Sequence, residues 1–269
     1  MRHWMRVAAL LAAGSWMPLA TQASAIRQGV DELAAAAGPH RLIVLGEAHG
    51  TREIPDLVEA LVAHYAAEGP VLLALEVRRG EHAVLARYLD AADQRRLAEL
   101  RQREAWSRPP EDNDGRRTQA MLDLVEAMRR LRAAGRDVAL FPYDIEGPSG
   151  GSQARDRAMA EYLRRGFAAL PRGRMLVLTG NVHAMLFKPR YCQQCQTPMT
   201  SYLHDLEPYS VDIVARAGSS WGCRDRCGPM AVQAHPGLQT GPVATGSKQP
   251  FHFKLVLPTF TPATLVGTE

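Results

Sequence analysis

Glu47 and His49 stand in Gly46-Glu47-Ala48-His49-Gly50, a carboxylate and an imidazole two residues apart between glycines. A carboxylate can orient an imidazole, and an imidazole titrates close enough to neutrality to take a proton from water. The glycines imply tight backbone turns that expose both side chains, because glycine enters positive φ freely. Three other places carry comparable groups: Glu76 with Arg78, Tyr143 with Asp144, and Asn181 with His183 in Gly180-Asn181-Val182-His183. Singly each is weak, since an acid after a strand more often caps a helix and a lone histidine is as often a hydrogen-bonded core residue. Together they allow two chemistries. In one, His49 takes the proton from water, Glu47 and Glu76 orient or polarise the site, and His183 stabilises an oxyanion or serves as a second acid/base. In the other, Glu47, His49, Glu76 and His183 hold a divalent metal that lowers the pKa of bound water. No H-E-x-x-H or similar spacing chooses between them.

The elements that must position these groups are legible as hydrophobic patterns. Residues 42–45, 71–75, 138–141 and 175–178 are short apolar runs without alternation, the pattern of strands buried on both faces. Ile54, Leu57, Val58, Leu61, Val62 and Tyr65 follow helical spacing, with Pro55 tolerable in a first turn. Met121, Leu124, Val125, Met128 and Leu131 repeat that spacing up to Gly135, and Met159, Tyr162 and Leu163 predict a further helix. Strands alternating with helices imply right-handed βαβ units and a mostly parallel α/β sheet flanked by helices. Ligands bind outside the carboxyl ends of such strands, which is where all four groups fall. Residues 211–214 and 253–257 read as strands with no helix between them, predicting a β-rich, loop-rich C-terminal part with antiparallel edge strands. Residues 81–117, charged and arginine-rich, predict a helical insertion of one or two exposed helices ending in the loop at 109–115.

Arg2, His3 and Arg6, the apolar residues 7–13 and the small-x-small site Ala23-Ser24-Ala25 have the order of a secretory signal peptide. Gly14, Ser15 and Pro18 keep that run short of the roughly 20 apolar residues of a membrane span. A cleaved leader at 1–25, one α/β domain at 26–269 and a periplasmic or secreted product are therefore expected, without stable membrane insertion. The formal charge is +4, of which Arg2 and Arg6 supply two units, so nothing electrostatic points to nucleic acid or an anionic membrane.

The runs Leu42-Ile43-Val44-Leu45-Gly46-Glu47-Ala48-His49-Gly50-Thr51, Leu73-Ala74-Leu75-Glu76, Phe141-Pro142-Tyr143-Asp144, Arg155-Asp156-Arg157-Ala158-Met159-Ala160 and Thr179-Gly180-Asn181-Val182-His183-Ala184 occur in the order of the motifs of the erythromycin esterase/ChaN/Tiki superfamily. The chain resembles that superfamily over about residues 40–190. The resemblance implies a parallel α/β core with the Gly-Glu-x-His loop, the second-strand Glu and the late His facing one cleft. It also implies an arginine, Arg155, at the start of a helix facing that cleft; Arg157 has the solvated helix face as its alternative. Members include macrolide esterases, haem-binding lipoproteins of iron uptake and metal-dependent proteases. The chain is much shorter than the macrolide esterases and lacks both the lipoprotein cysteine and the adjacent second histidine of haem-binding members. The leading expectation is a hydrolase of an ester or peptide bond, acting on a small-molecule or peptide substrate either with or without a divalent metal as cofactor. A haem-binding protein in which His and Tyr ligate iron is the alternative.

Cys192 and Cys195 are spaced C-x2-C, and Cys223 and Cys227 C-x3-C. The spacing permits a four-thiolate zinc site, whereas an oxidising compartment favours disulfides. Two bridges joining the 192/195 pair to the 223/227 pair are expected. His64, His82, His204, His235 and His252 match no motif and are read as structural or surface residues.

Overall fold

The computed structural model describes residues 19–92, 94–145, 151–190, 194–234, 236–244 and 249–267. The apolar runs form β1 (Leu42–Glu47), β2 (Val71–Arg78), β3 (Val138–Asp144) and β4 (Arg174–Gly180), joined in chain order by α2 (Glu53–Ala66), α3 (His82–Leu89), α4 (Leu97–Arg101), α5 (Gln119–Ala133) and α6 (Gly151–Ala168). Helix α1 (Leu19–Ala37) precedes β1, and α7 (Asn181–Ala184), a 3-10 segment Met199–Leu206 and β5 (Tyr209–Ala215) follow β4. Beyond them lie β6 (Ser219–Cys223), β7 (Cys227–Ala231), β8 (Gly241–Pro242) and β9 (Phe253–Leu257). The main sheet runs β3-β2-β4-β1-β5-β9-β8. Its pairings are parallel, apart from β8 with β9.

Two apolar layers sandwich this sheet. Val30 and Leu33 of α1, Leu57 and Leu61 of α2, and Leu124 and Met128 of α5 cover one face. Met159 and Leu163 of α6, Ala184 of α7 and Leu203 of the 3-10 segment cover the other. The connections leaving β1 and β2 thus pass over the first face, and those on either side of β4 over the second. Because β4 lies between β1 and β2, the helices diverge at its carboxyl end and leave a crevice, the place where doubly wound sheets bind ligands.

Three expectations need correction. The edge after β5 is largely parallel: β9 pairs in parallel with β5 from Val211↔Phe253 to Ala215↔Leu257, and the antiparallel edge is confined to β8. The excursion between β2 and α5 is docked rather than exposed, because Leu85, Tyr88, Leu100 and Trp106 are buried in the first apolar layer. Its arginines close buried carboxylates, Arg103 donating to Glu81 at 2.6 and 2.7 Å. The cysteines do not cross-pair. Cys223 and Cys227 are bonded to each other, because β6 and β7 form an antiparallel hairpin in which they stand directly opposite. That bridge also excludes a four-thiolate zinc site; Cys195 is disulfide-bonded too, and Cys192 lies outside the described residues. Residues 1–18 of the expected leader also lie outside them, and α1 begins at Leu19, inside that leader, and runs unbroken past Ala25. Among the described residues no helix is long and apolar enough to cross a membrane.

Candidate active site

The Gly-Glu-x-His loop leaves the end of β1 under α7 and under the β6/β7 hairpin. A Cβ on Gly46 would stand 2.9 Å from that of Ala184, so this glycine serves close packing of α7 rather than a positive-φ turn. Gly50 does adopt positive φ, at 71°, and a Cβ there would meet the Trp221 carbonyl at 2.2 Å. Between them His49 Nδ1 lies 2.9 Å from Glu47 Oε1. Glu47 can only accept from a neutral imidazole, so the proton sits on Nδ1 and the lone pair is on Nε2, 3.8 Å from Glu76 Oε2. The ring lies over Gly180, where a Cβ would approach Nε2 to 2.9 Å.

Glu76 lies near the carboxyl end of β2 and is nearly buried, its side chain 4% exposed. Its Oε1 accepts from Arg155 Nη2 at 2.8 Å and Arg116 Nη1 at 3.0 Å; its Oε2 accepts from Thr179 Oγ1 and the Gly180 amide, both at 2.9 Å. His49 Nε2 is 3.8 Å from Oε2 and His183 Nε2 is 3.9 Å from Oε1. Burial alone would raise the Glu76 pKa, but His49, His183, Arg116 and Arg155 together outweigh it and hold the carboxyl well below the usual range. Asp144 joins the same pair of arginines, accepting from Arg155 Nε at 2.8 Å and Arg116 Nη1 at 3.2 Å.

His183 mirrors His49. Its Nδ1 lies 2.6 Å from Asp156 Oδ1, itself fixed by the Met199 amide at 2.8 Å. Its Nε2 is 3.2 Å from Arg155 Nη1, and since a guanidinium only donates, Nε2 accepts and Nδ1 carries the proton. Two carboxylate-imidazole pairs therefore face a central Glu76 whose charge is held by two guanidiniums. Burial lowers the His49 pKa, yet the charge and hydrogen bond of Glu47 and the charge of Glu76 prevail, so it lies above the usual 6.5.

Glu47, His49, Glu76, His183, Asp144 and Arg155 are thus brought together. Arg78 is not: it reaches outward to Glu104, 3.3 Å away, on the docked excursion. Tyr143 is buried beneath the cluster, donating to the Leu178 carbonyl at 3.1 Å, so it faces the core rather than the cleft. Asn181 is exposed at the cleft's side, and Arg157 is on the solvated face, paired with Glu161. Among the unmatched histidines, His252 stacks on Tyr209, His82 meets the Phe141 ring edge-on and His64 pairs with Glu68; His235 lies outside the described residues.

Sequence reasoning missed Asp156 and Arg116. Asp156 was in view, adjacent to Arg155 on the helix that faces the cleft. Arg116 gave no signal; it sits in a run that reads as a charged loop, and Asp114 holds it at 2.6 and 2.9 Å. The expected metal set does not fit. All four Glu76 contacts are to N–H or O–H donors, two of them guanidiniums, so this carboxylate has no lone pair left for a dication. Among the described residues no group of three or more His, Cys, Asp or Glu side chains is arranged to hold a metal ion.

No protein-family profile and no curated protein matches the sequence. Several solved structures share the architecture. One is a Bacillus cereus protein, 11% identical with a TM-score of 0.64 over 91% of this chain and 99% of that one. A succinoglycan biosynthesis protein is 10% identical with a TM-score of 0.57 over 92% and 100%. A mutant of the erythromycin esterase EreC, in its open conformation, is 13% identical with a TM-score of 0.54 over 87% and 79%. The chain has the α/β fold of the erythromycin esterase, the fold that its ordered Gly-Glu-x-His and Gly-Asn-x-His motifs lead one to expect.

Proposed function

We propose that the chain is an exported hydrolase that cleaves an ester of a small molecule or peptide with water activated by His49. The observation that carries this reading is the His49 ring, fixed through Nδ1 by Glu47, with Nε2 3.8 Å from Glu76 and the guanidiniums of Arg155 and Arg116 on the far side of that carboxylate's hydrogen bonds. Nε2 takes a proton from water as the water oxygen bonds to the carbonyl carbon, and the carbonyl oxygen takes up the electron pair. The guanidiniums of Arg155 and Arg116 supply positive charge to that oxyanion in a poorly hydrated site. When the carbon–oxygen bond to the alcohol breaks, the His49 imidazolium returns its proton to the leaving oxygen, leaving acid and alcohol. Asp156 takes the Nδ1 proton of His183 in a hydrogen bond and so turns its Nε2 to Arg155, which fixes the guanidinium.

This mechanism takes its cation from the protein. Hydrolysis of p-nitrophenyl esters by the purified protein is expected to survive a chelator such as EDTA; loss of activity on chelation, restored by a divalent ion, would return the metal reading. A haem pocket is mostly apolar, unlike a cleft of carboxylates and guanidiniums, so haemin is expected to give no Soret band that depends on His49.

A further inference from the structure

A cavity of about 600 Å³ adjoins the catalytic loop. It touches the loop at Ala48, between Glu47 and His49, and touches α7 at Asn181, two residues before His183. Met185 and Phe251 give it apolar walls, while Asp212 and Lys254, opposite each other on β5 and β9, contribute charge. Asp212 is 6% exposed and sits on an interior strand level with Gly46. Its Oδ2 lies 2.9 Å from Lys254 Nζ, but its Oδ1 is buried with no hydrogen-bond partner among the described residues.

A buried carboxylate oxygen without a donor is a standing cost, and a ligand group that supplies the donor removes it. The pair is neutral as a whole, so it gives no attraction to a net charge. Lys254 can donate and Asp212 Oδ1 can accept, which together complement a hydroxyl, a group that does both. We propose that this cavity binds the non-reacting part of the substrate, and that Asp212 with Lys254 recognises a hydroxyl on an otherwise apolar, uncharged chain. The substrate class is then a hydroxylated, uncharged ester. The assignment rests on the reading of the Glu47–His49 centre as an esterase, so its test separates binding from turnover.

Two probes that the enzyme does not need to cleave, hexanamide and its terminal-hydroxyl analogue, are titrated calorimetrically into wild type, His49→Ala and Asp212→Asn. The hydroxylated probe is expected to bind about tenfold tighter to wild type and His49→Ala, and the preference to vanish in Asp212→Asn. Equal binding of the two probes, binding of neither, or a preference that survives Asp212→Asn overturns the pocket. If Asp212→Asn fails to fold, the double variant Asp212→Leu/Lys254→Met replaces the pair with apolar groups and carries the same comparison. The p-nitrophenyl esters of hexanoate and of its terminal-hydroxyl analogue give the second readout. Probe preference without turnover of either ester removes the esterase reading and leaves the pocket; turnover without preference does the reverse.

Discussion

At the scale of single residues, His49 and Glu76 have opposite characters although both lie in the cluster. His49 is partly exposed and bonded through one edge only, whereas Glu76 has every oxygen lone pair engaged and faces two guanidiniums. Glu76→Gln is therefore expected to destabilise the protein by about 3–5 kcal/mol, because it removes the buried charge that two half-buried arginines face; a denaturant melt measures this. A loss below about 1 kcal/mol would mean that the arginines find other partners. The pH dependence separates the two residues as well. His49 must be neutral to act as a base, and its pKa is raised, so activity is expected to rise with pH through an inflection above 6.5. The stability it contributes runs the other way: a raised folded pKa stabilises fully below the unfolded value and is lost as pH climbs through the folded one. Glu47→Gln removes the carboxylate charge and should move the rate inflection down; a pH–rate profile unchanged by that substitution would show that Glu47 does not set the titration.

At the scale of elements, the β6/β7 hairpin clamps both loops that carry the cluster. The Trp221 amide donates to the Gly50 carbonyl at 2.9 Å, its indole Nε1 donates to the Asn113 carbonyl at 2.8 Å, and its own carbonyl lies against Gly50 and Gly115. Asn113 in turn accepts from the Gly115 amide at 3.0 Å, shaping the turn that presents Arg116. The Cys223–Cys227 bridge closes a short loop, for which chain entropy gives only about 2 kcal/mol. The double change Cys223→Ser/Cys227→Ser is thus expected to lower activity more than global stability, read by comparing kcat/KM with the thermal midpoint. Undiminished kcat/KM would show that the hairpin does not position Arg116. This level also marks the limit of legibility. Strands β1 to β4 and helices α2 and α5 announced themselves because uninterrupted apolar runs and 3.6-residue spacing are enforced by burial along their length. Six of the polar groups at the cluster followed, since they stand at strand ends or in motifs. Arg116 did not, because its place depends on a contact between loops more than a hundred residues apart. The local cysteine bridge was hidden likewise, since spacing does not show which residues face each other across a hairpin.

At the scale of the whole molecule, the order β3-β2-β4-β1-β5 turns scattered motifs into one site, by placing the β4 end between those of β1 and β2. The first apolar layer draws on α1 from Ile26 onward, so removal of residues 1–25 is expected to leave the core intact. Mass spectrometry of the protein recovered from cell fractions checks the export proposal: a mature chain starting at Ile26 in the periplasm or medium supports it, and an uncleaved cytoplasmic chain overturns it. The esterase assignment itself turns on whether His49 does chemistry or holds the fold together. A paired measurement decides this, with ester hydrolysis and thermal melting recorded for His49→Ala and Leu61→Ala. His49→Ala should lose at least about a hundredfold in kcat/KM with a melting point close to wild type, while Leu61→Ala, a fully buried position, should cost about 2–5 kcal/mol of stability. If His49→Ala keeps full activity, or melts as badly as Leu61→Ala, His49 is a structural residue and the hydrolytic centre is elsewhere.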